Sequence, residues 1–189
     1  MTMFDDLADG AVRETDCLVA FYDITGFMTF ARGRPPSDVL ALCNSYFDLT
    51  GRIIESASGR LIKTLGDAGL CVFGNADSGV AALRRIQQEG DAWLREQGWS
   101  GRAVVKAHWG TVAVGYVGPP SLKRLDVYGD TVNTAAVLNA REPGFAMTPQ
   151  VFRQLSTDGR KAFKKHTPPV TYIPAAARQR PAPQRDRSG

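Results

Sequence analysis

The spacing of apolar positions changes several times along the chain, and each change predicts an element. Cys17 to Tyr22 is an unbroken apolar run closed by Asp23, which predicts a strand buried on both faces with an acid at its tip. After the Arg-Gly-Arg-Pro-Pro loop, Val39, Leu40, Leu42, Cys43, Tyr46, Phe47, Ile53 and Ile54 recur at helical spacing, with Ser37 or Asp38 as the cap and Gly51 as an interruption. Arg60 to Leu65 and Ala68 to Phe73 read as two strands of a hairpin whose turn is Gly66-Asp67. Ala76 to Gln97 reads as a helix with Val80, Leu83, Ile86 and Leu94 inward. Arg102 to Trp109 and Thr111 to Val117 read as a strand pair around Gly110. Asp126 to Tyr128 follows as a short strand, and Thr131 to Ala140 as a helix capped by Thr131 or Asp130. Phe145 to Met147 predicts a strand, Pro149 to Leu155 a helix and Pro169 to Ile173 a last strand.

The order β-α-β-β-α-β with further elements behind it predicts an α+β fold, a ferredoxin-like βαββαβ core with extra C-terminal strands and helices. The expected organisation is an N-terminal segment over 1–16, one domain over 17–173, and a Pro, Ala and Arg-rich tail over 174–189 whose composition cannot build a core.

Charge alters this picture little. The net charge is +4, but most of it comes from Arg178, Arg180, Arg185 and Arg187 in the tail, opposed only by Asp186, so the body is close to neutral. A nucleic-acid partner is not expected, because its affinity would need basic residues concentrated on a folded face. Cys17, Cys43 and Cys71 sit among apolar neighbours and read as reduced thiols. No apolar stretch is long enough for a membrane span, and Met1 to Asp9 lacks the basic start and apolar run of a secretory signal. A cytoplasmic protein without a membrane partner is therefore expected.

The candidate chemistry starts from two acids. Asp23 ends a strand within Phe21-Tyr22-Asp23-Ile24-Thr25-Gly26-Phe27, and Asp67 occupies the hairpin turn of Lys63-Thr64-Leu65-Gly66-Asp67-Ala68-Gly69. Such a pair suits hard divalent cations that share their oxygen ligands with phosphates. Taken singly, each acid is an ordinary turn residue. A third motif, Asp126-Val127-Tyr128-Gly129-Asp130-Thr131-Val132-Asn133, changes that balance. These segments, in this order and with His108-Trp109-Gly110-Thr111-Val112 between them, resemble the catalytic domain of the class III adenylate/guanylate cyclases over about Cys17 to Ile173.

The resemblance implies an enzyme that converts a nucleoside triphosphate into a 3′,5′-cyclic nucleotide and pyrophosphate. Asp23 and Asp67 match its metal-binding aspartates, and Ile24 matches the position whose carbonyl also ligates, for two Mg²⁺ or Mn²⁺ ions. Lys63 and Asp126 match base-reading positions, Asn133 the ribose-orienting asparagine and Lys164 a phosphate-binding lysine, with Lys165 as its rival. Phe21 is counted with the nucleotide-binding group. The resemblance also implies a homodimer, each site combining Asp23 and Asp67 of one chain with Lys63, Asp126 and Asn133 of the other.

The sequence departs from the family at Val137, where an arginine is usual. Arg141, eight residues after Asn133, is the candidate replacement if the helix extends that far. A solvated helix-end residue is the competing reading of Arg141. For the whole chain, the alternative to an enzyme is a pseudocyclase that binds nucleotide or metal as a regulatory dimer. The Lys63 and Asp126 pair points to adenine, whereas the short chain resembles bacterial pyrimidine cyclases that make cyclic UMP or cyclic CMP in anti-phage defence. Both readings stay open on sequence. His108 reads as a structural hydrogen-bonding residue, and Gly115 with Gly118 as turn punctuation.

Overall fold

The computed structural model describes residues 3–140, 144–166 and 170–175. Its spine is two long antiparallel strands, β1 (Val12–Ile24) and β4 (Ala103–Val117), paired from Val12 opposite Gly115 to Ile24 opposite Ala103. Between them in sequence come α1 (Phe27–Ala31), α2 (Pro36–Ser56), the hairpin β2 (Arg60–Leu65) and β3 (Ala68–Phe73), and α3 (Ala76–Glu96). After β4 a single 3-10 turn leads to β5 (Arg124–Tyr128), then α4 (Asp130–Val137), β6 (Phe145–Met147), α5 (Pro149–Gln154), α6 (Thr157–Lys161), β7 (Phe163–His166) and β8 (Thr171–Pro174).

The sheet runs β2-β3-β1-β4-β6-β8-β7, with β5 attached to β4. Its first four strands and the crossovers α2 and α3 form the expected ferredoxin-like core. Most of the pairings are antiparallel; β4 with β6 is parallel.

Alternation along β1 divides the interior in two. Leu18, Ala20, Tyr22 and Ile24 face α2 and α3, where they pack with Tyr46, Ile53, Ile54, Leu83 and Ile86. Cys17 and Val19 face the other way, into a second cluster with Leu70, Val72, Val112, Val114, Val127 and Ala135. Phe4 and Leu7 close part of that second face, so the fold recruits residues ahead of Cys17 and extends the first strand back to Val12. Sequence pattern alone missed this because Val12 to Asp16 are mostly exposed and carry no continuous apolar signal.

Several boundaries differ from the sequence expectation. Gly110 does not separate two strands: β4 is continuous, because β1 pairs along its whole length. A Cβ at Gly110 would lie 2.6 Å from the Thr131 hydroxyl, so the glycine marks a close approach of α4. Gly115 likewise lies inside β4 opposite Asp126, whereas Gly118 has the left-handed φ of a turn. Gly51 leaves α2 uninterrupted, and that helix starts at Pro36 after Pro35, with no side-chain cap from Ser37 or Asp38. The helix α4 starts after Gly129 and stops at Val137, with Leu138 extended. The strand expected from Pro169 is β8, beginning at Thr171, and α1, α6 and β7 had no clear signal in the pattern. Residues 176–189 of the expected tail lie outside the described residues.

Candidate active site

The C-terminal end of β1 and the β2–β3 turn deliver the two acids to one place. Asp23 is the last odd-numbered residue of β1, on the sheet face away from α2 and α3, and Asp67 follows Gly66, whose φ of +66° makes the tight turn. The Asp67 carboxyl lies within hydrogen-bonding reach of Asp23. Burial, then this contact and the charge of Asp23, push Asp67 from 3.8 up to about 6. The Ile24 amide donates to Asp23 Oδ1 at 2.8 Å, fixing the carboxylate against its own strand end.

Two glycines make this junction possible. Gly69 lies opposite Tyr22, and a Cβ there would overlap the Tyr22 ring. Tyr22 is in turn held by Thr50, whose hydroxyl donates to the phenolic oxygen at 3.0 Å. Beyond Ile24 the chain turns at Gly26 with φ of +78° into α1. Thr25 is anchored on both sides: its amide donates to the Arg102 carbonyl at 2.9 Å, its hydroxyl accepts from the Arg102 amide at 2.9 Å, and its carbonyl accepts from the Trp99 indole at 3.2 Å.

These elements wall a cleft of about 530 Å³ lined by Asp23, Ile24, Thr25, Asp67, Lys106 and Asn139, among others. Lys106 and Asn139 were not anticipated. A lysine inside the apolar run Ala103-Val104-Val105-Lys106-Ala107 was the available signal, since a charged residue in a central strand needs a reason to be there.

The other expected residues lie outside this lining. Lys63, on β2, donates through Nζ to Asp126 Oδ2 of β5 at 2.6 Å, and Asp126 Oδ1 accepts from the Val127 amide at 2.8 Å. Asn133 is exposed on α4, and Val137 on the same helix is 82% exposed. Phe21 packs against the second core cluster, as does Ile62. Lys164 sits on β7, with β4, β6 and β8 between it and β1. Arg141 is outside the described residues, and because α4 ends at Val137 the single helix face expected to carry Asn133, Val137 and Arg141 does not form. Within one chain the structure therefore assembles the acid pair and the Lys63–Asp126 pair as separate units. His108 Nδ1 hydrogen-bonds the Thr148 hydroxyl at 2.8 Å, in the structural role expected.

The acid pair fits divalent cations. Two crowded carboxyls, one raised to about 6 by burial and by the other, are relieved when a cation neutralises both. Among the described residues no group of three or more His, Cys, Asp or Glu side chains is placed to hold a metal. Two carboxylates with remaining positions left to water and phosphate is the coordination that Mg²⁺ and similar hard ions accept.

Known proteins share this fold. The family described as Adenylate and Guanylate cyclase catalytic domain matches residues 11–95. The adenylate cyclase of Anabaena cylindrica is 28% identical over 166 residues, 80% of this chain and 33% of that protein. The structure of a bacterial light-regulated adenylyl cyclase superposes with a TM-score of 0.75 at 24% identity, over 89% of this chain and 54% of the other. A non-canonical dimeric guanylyl cyclase domain, from the RhoGC fusion protein of the fungus Blastocladiella emersonii, gives 0.71 at 20% identity, over 85% and 96% of the two chains. Residues 11–95 thus match the adenylate/guanylate cyclase catalytic-domain family, and the chain shares the fold of solved cyclases over most of its length. It spans about a third of the length of its curated relative from Anabaena. None of the helices among the described residues is long and apolar enough to cross a membrane.

Proposed function

We propose that this domain is an active nucleotide cyclase: the ribose 3′-oxygen of a nucleoside triphosphate attacks the α-phosphorus, the bond to the β-phosphate oxygen breaks, and pyrophosphate leaves as the 3′,5′-cyclic nucleotide forms. The observation that carries this reading is the adjacent Asp23 and Asp67 pair at the wall of a triphosphate-sized cleft, in a fold shared with cyclases.

Asp23, Asp67 and the Ile24 carbonyl would hold two divalent cations, Mg²⁺ or Mn²⁺. When bound, such ions make the 3′-hydroxyl easier to deprotonate and neutralise the phosphates. Asn133, exposed on α4, is available to a ribose only from outside its own chain's cleft. That separation supports a homodimer in which each cleft receives Lys63, Asp126 and Asn133 from its partner.

The Lys63–Asp126 pair also narrows the base. A lysine donates and an aspartate accepts, so together they fit an edge that pairs a ring-nitrogen acceptor with an exocyclic amine. Adenine and cytosine present that edge; guanine and uracil present a carbonyl and a ring N–H in its place. ATP is accordingly the proposed substrate, with CTP as the pyrimidine that fits. The deciding experiment incubates the purified protein with Mn²⁺ and an equimolar mixture of the four triphosphates and identifies cyclic products by mass. Cyclic AMP as the main product supports the proposal, cyclic UMP or GMP overturns the base assignment, and absence of any product overturns the activity.

A further inference from the structure

The cleft contains a cation that the sequence motifs do not account for. Lys106 is the one basic side chain in its lining among the described residues. It lies opposite Phe21 in the β1–β4 pairing, two residues beyond Val104, which is opposite Asp23. Period-two alternation therefore puts Lys106 on the same sheet face as Asp23. Its strand is paired on both sides, with β1 and, through Ala146, with β6. The side chain is half-buried at the cleft wall, with its ammonium end reaching solvent.

The side chain is held by one identified contact: Nζ donates to the Ala136 carbonyl at 2.8 Å. That carbonyl belongs to the last turn of α4, whose negative end favours a cation. The contact stands one residue before Val137, the position where the resemblance leads one to expect an arginine. An ammonium has three donors, so the tie to Ala136 orients the group without exhausting it.

We infer that Lys106 is a phosphate-binding residue of the triphosphate site, supplying from the centre of β4 the positive charge that position 137 lacks. The inference rests on the cyclase reading of the cleft. Two carboxylates and a fully ionised triphosphate carry more negative charge than two divalent cations cancel, and Lys106 is the group placed to offset part of the excess. Because its present partner is a carbonyl of α4, a phosphate that draws the ammonium away also releases the end of the helix bearing Asn133. Occupancy of one cleft thus bears on the residue proposed to serve the other.

Calorimetric titration with inorganic tripolyphosphate in the presence of Mg²⁺, and with Mn²⁺ alone, separates these roles. Lys106→Gln is expected to weaken tripolyphosphate about tenfold to a hundredfold, as the loss of one charge-assisted hydrogen bond requires. It should leave Mn²⁺ affinity undiminished, and Lys106→Arg should restore most of the tripolyphosphate affinity. Tight wild-type binding that Lys106→Gln leaves unchanged overturns the role of Lys106 but not the cyclase reading. Wild-type protein that binds no tripolyphosphate overturns both. Acetylation of the unaltered protein gives a measurement independent of any variant. Tripolyphosphate should protect Lys106 from the reagent, and equal labelling with and without it contradicts the inference.

Discussion

Lys63 Nζ lies 2.6 Å from Asp126 Oδ2, which joins β2 to β5 by side chains alone at a place where no backbone pairing links them. The lysine side chain is 40% exposed, so the ion pair contributes at most about 1 kcal/mol to stability. Its proposed work on the base is worth more. Asp126→Ala should change the unfolding free energy by about 1 kcal/mol or less, yet reduce kcat/KM for ATP at least about tenfold and flatten the preference among the four triphosphates. Steady-state rates with each triphosphate check this. A variant that loses rate equally on every base would show that Asp126 supports the structure rather than reads the edge.

The acid pair predicts a pH dependence with a definite sign. In the folded protein Asp67 titrates at about 6, above its ordinary value of 3.8, so the folded state binds the extra proton more tightly than the unfolded one. Without metal, the stability that Asp67 contributes should be fully present below pH 3.8 and be lost as pH rises through about 6. Divalent cations need both carboxylates ionised, so their apparent affinity should climb over the same window and then level off. Asp67→Asn should remove the fall in melting temperature between pH 4 and 6 while abolishing most Mn²⁺ binding. A melting temperature in Asp67→Asn that still falls across that window would assign the effect to another group.

How much of this was legible in the sequence depended on the range of the interactions involved. The β2–β3 hairpin and β6 were read to the residue, because turn chemistry at Gly66-Asp67 and short apolar runs are local signals. The continuity of β4 through Gly110 was not legible, since it is imposed by thirteen residues of β1 that lie about ninety positions earlier. Lys106 shows in the sequence only as a charge within an apolar run. Its register opposite Phe21 gives it meaning, and register is a tertiary fact. The extended reach of the Thr131 helix toward Arg141 failed differently. The apolar run through Val137, Leu138 and Ala140 continues past the point where Leu138 turns to extended backbone, so periodicity overestimated the helix.

Gly69 and Tyr22 form a second dependency behind the acid pair. Gly69→Ala places a methyl group in the Tyr22 ring and should cost about 1–3 kcal/mol through displaced packing. Tyr22→Phe keeps the ring and removes only its hydroxyl. Thr50, which donates to that hydroxyl, also has the Tyr46 carbonyl at 3.0 Å as an acceptor, so the loss should stay near 0.5–1.5 kcal/mol. Denaturant unfolding of both variants tests the order. Only Gly69→Ala should also depress Mn²⁺ affinity, because it pushes β3, and with it the Asp67 turn, away from β1.

Trp99 offers a way to perturb the Thr25 turn beside the acid pair from outside the cleft. Its indole stacks on Phe30 at 3.9 Å between centroids and 5° between planes, while Nε1 donates to the Thr25 carbonyl at 3.2 Å, two residues beyond Asp23. Trp99→Phe retains most of the apolar contact but leaves that carbonyl without its donor, so a stability loss of about 1 kcal/mol is expected. Trp99→Ala removes the stack as well and should cost about 3–5 kcal/mol. The informative variant is Trp99→Phe. If the anchor of Thr25 sets the position of the Ile24 carbonyl, Mn²⁺ affinity should fall severalfold in a protein that remains folded at 25 °C, with KM for the metal–nucleotide complex rising and the pH profile unchanged. Mn²⁺ titration followed by electron paramagnetic resonance measures this directly. Wild-type affinity in a variant that has nevertheless lost the expected stability would confine Trp99 to packing and leave the geometry of the acid pair to β1 and the β2–β3 turn alone.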